Sequence, residues 1–244
     1  MALCAASSTA SAQTLALDAT DVGGPGSRKA GELYMPAGAG PFPGVVLLQG
    51  CDGVNANDRA WARRLVGWGY VALIVDSFGP RGIGNICNRG ATVPASLRAA
   101  DASEGARYLH TLPAVSGQRI GVIGFSHGAG GALQASGWGG AFAATIAFYP
   151  LCGAGTPPFS DDVLVIMGGA DDWTPSQRCA DAVARYPTNA AHRPTLKIYA
   201  GSTHGFDSAR PSREYFGHHL AYDPAAAADA IATTHRFLTQ RLGR

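Results

Sequence analysis

Short, nearly continuous apolar runs recur along this chain, each followed by a stretch with helical spacing, and that alternation constrains the fold more than any other feature. The runs lie at 44–49, 70–76, 119–125, 143–149, 163–167 and 195–199. They read as strands buried on both faces. Helices are predicted over 57–68, 96–112, 127–137, 175–186 and 223–242. In the first, Asn57 is a candidate N-cap, and Trp61, Leu65 and Trp68 recur at helical spacing. In the second, Leu97, Ala100, Tyr108, Leu109 and Leu112 mark an inner face. Segments 13–18 and 29–35 add two edge strands. The pattern predicts an α/β fold, a mostly parallel sheet covered on both faces. No linker divides it, so residues 13–244 form one domain. On such sheets ligands bind beyond the carboxyl ends of the strands. The loops that leave the strands are therefore where chemistry is expected.

Composition narrows the function classes. Hydrophobic residues make up 46% and charged residues 15% of the 244 positions, which excludes a disordered or coiled-coil chain. A net charge of +2 with scattered arginines gives no basic stripe for nucleic acid. No apolar run reaches transmembrane length, so no membrane partner is expected. Residues 1–12 are rich in small side chains, and Ala10-Ser11-Ala12 matches the pattern before a signal-peptidase cut. They read as the remnant of a secretory leader. Setting aside Cys4 in that leader, four cysteines remain: Cys51, Cys87, Cys152 and Cys179. An even number suits an oxidising compartment, hence a secreted or periplasmic location. No C-x-x-C is present, and neither a metal site nor an organic cofactor is implied.

Gly124-Phe125-Ser126-His127-Gly128 is a G-x-S-x-G placed between a predicted strand and a small-residue helix. That is the setting of a nucleophile elbow, in which a tight turn exposes the serine hydroxyl at a helix N-terminus. A serine needs a base, and the base needs an orienting acid. Downstream, Asp171 and Asp172 follow the fifth apolar run, and His204 follows the sixth. All three lie on the sheet edge that carries Ser126. Among seven histidines His204 is best placed: His110 ends a helix, His192 lies at the wrong edge, and His218, His219 and His235 sit in or near the closing segment. Spacing alone does not decide between Asp171 and Asp172. The backbone amide of His127 and one from the loop 49–55, assigned to Cys51, would form an oxyanion hole. A Cys51 nucleophile is disfavoured, because no paired histidine is evident and a serine elbow is already present. Trp173, Phe206, Trp138 and Tyr149 are candidate pocket residues. Only Trp173, on the loop beside the acid, is placed better for substrate than for core.

Over roughly residues 28–242 the chain resembles the dienelactone hydrolase family of α/β-hydrolases. The stretches that carry the resemblance are 33–36, 43–55, 69–78, Gly124–Gly128, 171–175 and 199–206. The resemblance implies an α/β-hydrolase fold with about eight strands and no large lid. The family's acid precedes a Val- or Thr-Pro pair by three residues, which selects Asp171. Its histidine matches His204 and its second oxyanion amide falls on Cys51. Arg81 matches an arginine that helps bind a substrate carboxylate, although a loop salt bridge is an equal reading. Two departures matter: Ser126 stands where the founding members have a cysteine, and Gly50 where they have a glutamate that helps activate the thiol. Both favour a serine esterase branch acting on small-molecule or polymeric esters. The implied strand order makes disulfides Cys51–Cys87 and Cys152–Cys179 the easiest to build. A catalytically silent binding protein, a thioesterase or a peptidase with the same residues are the alternatives.

Overall fold

The computed structural model describes residues 12–17, 29–153, 162–186 and 194–243. Of the residues read as a leader, 1–12, all but Ala12 lie outside the described residues, as does His192. Eight strands form the main sheet: β1 (Ala12–Leu17), β2 (Lys29–Tyr34), β3 (Phe42–Leu48), β4 (Val71–Asp76), β5 (Val115–Phe125), β6 (Ala144–Phe148), β7 (Val163–Gly168) and β8 (Thr195–Tyr199). Their order is β1-β2-β4-β3-β5-β6-β7-β8. β1 and β2 are antiparallel to their neighbours, and β4, β3, β5, β6, β7 and β8 run parallel. After β3 the chain first moves outward to β4, then returns to the opposite side of β3 as β5. Strand order thus reverses at β3, and the crevice between the β3 and β5 ends is where such sheets hold ligands.

The helices α1 (Ala56–Gly67), α2 (Ala95–His110), α3 (His127–Trp138), α4 (Ser176–Ala184) and α5 (Pro224–Leu242) complete the layers. Period-two alternation along β3 divides the core. Val45 and Leu47 pack with Trp61 and Leu65 of α1 and Leu238 of α5, whereas Val46 and Leu48 pack with Ala99, Ala102 and Leu109 of α2. The cap of α1 is Asn55 rather than Asn57. The Asn55 side chain accepts from the Asn57 amide while Asp58 accepts from the Asn55 amide, a reciprocal pair at the helix start.

On α2, Ala100 and Leu109 are buried as expected, but the rest of the inner face differs. Leu97, Tyr108 and Leu112 are only half-buried, whereas Arg98, Asp101 and several alanines are fully buried. Small side chains let this helix approach the sheet closely, and two charged groups share the space that larger residues would have filled. A β9–β10 hairpin (Arg213–Tyr215 and His218–Leu220) precedes α5 and was not expected. Its two turn residues, Phe216 and Gly217, both have positive φ, the signature of a tight turn matched to strand twist. Among the described residues no helix is long and apolar enough to cross a membrane.

Candidate active site

Ser126 follows β5 and stands at the N-terminus of α3, with φ 51° and ψ −116°. This left-handed backbone is costly for a residue with a Cβ and is held by its surroundings. The Ser126 amide donates to the Phe148 carbonyl at 2.9 Å. A Cβ on Gly124 would lie 2.3 Å from the Gly128 carbonyl oxygen, and one on Gly128 would lie 2.4 Å from the Gln49 carbonyl oxygen. Both glycines are therefore required by close approach, the first of the elbow to its own helix and the second of that helix to the end of β3.

His204, in the loop after β8, is buried, and its Nε2 lies 2.8 Å from Ser126 Oγ. Its Nδ1 lies 2.8 Å from Asp171 Oδ2, on the loop after β7. The carboxylate can only accept at Nδ1, so Nδ1 carries the proton and Nε2 is left to accept from the serine hydroxyl. Asp171 is further fixed by the amides of Trp173 and Thr174, which donate to Oδ1 at 2.9 and 2.8 Å. Burial raises the Asp171 pKa, but the hydrogen bond and charge of His204, with the Thr174 contacts, outweigh it and hold the carboxyl below its ordinary value. Asp172 instead points outward to His218 at 3.2 Å. Thr174, which served in the sequence only to mark the acid by its spacing, places its hydroxyl 2.8 Å from Asp171 Oδ2 and 3.1 Å from the Tyr149 carbonyl.

An open cleft at Ser126 is lined by Gly50, Cys51, Tyr149, Trp173 and Tyr215. Among the described residues, neither the Cys51 nor the His127 amide donates to another protein group. Trp173 packs 5.1 Å from the His204 ring and stacks on His218 at 4.6 Å, under the β9–β10 hairpin. Arg210 and Arg213 also line the cleft, and their segment had carried no functional expectation.

Three expected pocket residues lie elsewhere. Arg81 donates to both oxygens of buried Asp101, at 2.8 and 2.9 Å, and to the Ser77 carbonyl. That arginine is a loop salt bridge and does not line the cleft, because Asp101 on α2 offers a matched, desolvated partner. Phe206 is fully buried behind Tyr149 and Tyr199, as core. Trp138 is half-exposed at the far end of α3. Both expected disulfides are present, Cys51–Cys87 and Cys152–Cys179. Among the described residues no group of three or more His, Cys, Asp or Glu side chains could hold a metal ion.

Comparison with known proteins agrees with this architecture. The family model described as "Dienelactone hydrolase family" matches residues 30–242. A Bradyrhizobium protein named a probable 2-oxo-3-(5-oxofuran-2-ylidene)propanoate lactonase is 26% identical over 249 residues, covering 94% of this chain and 96% of that protein. Among solved structures, a dienelactone hydrolase-like promiscuous phosphotriesterase from metagenomic libraries superposes with a TM-score of 0.77 at 22% identity, over 94% of this chain and 98% of that one. The dienelactone hydrolase of Anabaena variabilis gives 0.70 at 17% identity, over 95% and 98% of the two chains. The fold is the α/β-hydrolase fold.

Proposed function

Because the chain belongs to the dienelactone hydrolase family, we propose that it is a serine hydrolase of carboxylic esters and lactones. Ser126 attacks the ester carbonyl while His204 takes its proton. Asp171 orients the imidazole and stabilises the cation that forms. The tetrahedral oxyanion is received by the amides of Cys51 and His127. Collapse expels the alcohol, protonated by His204, and leaves an acyl-enzyme. Water, activated by the same imidazole, then releases the acid. The observation that carries the reading is the unbroken line of hydrogen bonds from Ser126 Oγ through His204 to Asp171, each 2.8 Å long. The lactonase name of the Bradyrhizobium relative supports lactones as one substrate class.

Arg81 is occupied by Asp101, so recognition does not depend on an arginine at that position. An open cleft with an aromatic wall suits short acyl esters, aromatic esters, lactones or a polyester chain threading across Ser126. Two disulfides support a secreted or periplasmic location. The deciding experiment is hydrolysis of a short p-nitrophenyl ester by wild type and by Ser126→Ala, with folding of the variant checked by circular dichroism. Turnover by wild type and near-background rates in the folded variant are expected. Full activity in the variant would overturn the assignment.

A further inference from the structure

Arg98, on α2, is completely buried, and its hydrogen bonds all go to neutral groups. Nη2 donates to the Gln49 carbonyl at 2.7 Å and to Gln49 Oε1 at 3.1 Å. Nη1 lies 3.3 Å from His127 Nδ1. A guanidinium can only donate, so Nδ1 of His127 accepts and its proton resides on Nε2. Nε2 in turn lies 3.1 Å from the Gly90 carbonyl, which accepts it. The tautomer of His127 is thus set from both sides. Burial and the Arg98 charge, opposed by the Gly90 carbonyl, push the imidazole pKa down to about 4, so the ring is neutral at ordinary pH. Burial lowers the Arg98 pKa to about 10 against the opposing charges of Asp101, Asp58 and Asp76, none of which it hydrogen-bonds among the described residues, and the guanidinium stays charged at neutral pH. The Phe78 ring lies over the guanidinium, its centroid 4.8 Å away.

A buried cation hydrogen-bonded only to neutral groups is a poor choice for stability alone. What sets Arg98 apart is which residues it joins. Gln49 directly follows β3, two residues before Cys51, and His127 is the first residue of α3. These are the two segments that present the oxyanion amides. A second tie joins them from the other side. The Ile86 amide donates to the Cys51 carbonyl at 2.9 Å, Cys87 is bonded to Cys51, and Gly90, three residues on, accepts from His127.

We propose that Arg98 is a positioning residue of the oxyanion hole, fixing the spacing of the Cys51 and His127 amides through Gln49 and the His127 ring. This rests on the reading of Ser126 as the nucleophile. The fork of the guanidinium suits the task, because two separate acceptors are held in one plane. Preorganised donors act on the transition state more than on the bound substrate, so the effect belongs in kcat rather than KM.

The test compares wild type, Arg98→Met, His127→Ala and Ser126→Ala in ester hydrolysis and in inhibition by phenylboronic acid, whose serine adduct mimics the tetrahedral oxyanion. His127→Ala keeps the amide and removes only its anchor, and it decides the matter if Arg98→Met does not fold. Each folded variant is expected to lose about 10- to 100-fold in kcat, with KM within twofold and boronate affinity weakened in parallel. Ser126→Ala should be inactive and should not bind the boronate. Folded variants with kcat and boronate affinity within twofold of wild type, beside an inactive Ser126→Ala, would overturn the inference and leave the hydrolase reading intact. An active Ser126→Ala would remove that reading and the inference with it.

Discussion

The Tyr149 hydroxyl donates to Asp207 Oδ1 at 2.8 Å, on a ring whose centroid lies 4.6 Å from that of the His204 imidazole. Asp207 Oδ2 accepts from Trp61 Nε1 at 2.8 Å and from Asn57 Nδ2 at 3.0 Å. One carboxylate therefore ties the histidine loop to α1 and backs the wall against which His204 rests. Burial, and then the charge and hydrogen bond of Asp207, raise the Tyr149 pKa well above its ordinary value, so the phenol stays a donor. Tyr149→Phe removes one hydrogen bond and should cost about 1–2 kcal/mol. Asp207→Ala strands three donors and should cost about 3 kcal/mol or more. Denaturant unfolding measures both. A loss in Asp207→Ala no greater than in Tyr149→Phe would refute the three-donor account.

Asp171 and Asp172 are adjacent in sequence and opposite in consequence. Asp171→Asn keeps the shape but offers an amide where His204 Nδ1–H needs an acceptor, so the imidazole is free to take the wrong tautomer. A fall in kcat of about 10³- to 10⁴-fold is expected. Asp172→Asn disturbs only a half-exposed pairing with His218 and should stay within about twofold, since exposed pairs contribute little. Steady-state kinetics of the two variants, side by side, decides whether the loop supplies the acid as assigned.

Asp58 gives the stability a pH dependence of unusual sign. Burial, with the nearby Asp52 and Asp207 charges, raises its pKa from 3.8 to about 7, against the pull of the Asn55 amide and Arg98. Between about pH 4 and pH 7 the folded chain therefore holds a proton that the unfolded chain has released. Stability from this group falls as pH rises through that window, and the full cost, at most ~4 kcal/mol, applies above it. Asp58→Asn keeps an oxygen for the Asn55 amide and removes the titration. Its melting temperature should exceed that of wild type at pH 8, with the advantage gone near pH 4. Equal melting temperatures at pH 8 would contradict the shift.

Much of this was legible in the sequence because burial on two faces forces apolar runs, and those runs located both the strands and their ends. Ser126, Asp171 and His204 were readable since Ser126 directly follows such an end and the other two lie in the loops that leave the next ends, where the sheet itself aims the chain. Legibility failed where a side chain's role depends on a partner the sequence does not place nearby. Arg81 reads equally as a ligand or a strut until Asp101 is found beneath it. Arg98 looks like a solvated helix position, and only the crowding of α2 against the sheet turns it inward. The β9–β10 hairpin escaped because its strands are three residues long and polar, too short for alternation to register. Phe206 follows His204 in the loop after β8, yet the turn at Gly205, with φ 69°, sends the ring back into the core.

The two disulfides should separate stability from catalysis. Cys51–Cys87 spans 36 residues and Cys152–Cys179 spans 27, so loop-closure entropy predicts nearly equal losses of about 3–4 kcal/mol when either is removed. Their positions are not equal. Cys152 follows β6 and Cys179 lies in α4, whereas Cys51 lines the cleft and carries one of the two amides proposed for the oxyanion. Removing Cys87 leaves the Cys51 carbonyl bound to the Ile86 amide but frees its side chain, so the loop gains freedom where the transition state needs it fixed. Cys87→Ser and Cys179→Ser should therefore lose similar melting temperature, while kcat falls about tenfold or more only in Cys87→Ser. Assays well below both melting temperatures keep the comparison free of unfolding. Equal kcat in the two variants would show that the oxyanion loop is held by its hydrogen bonds alone.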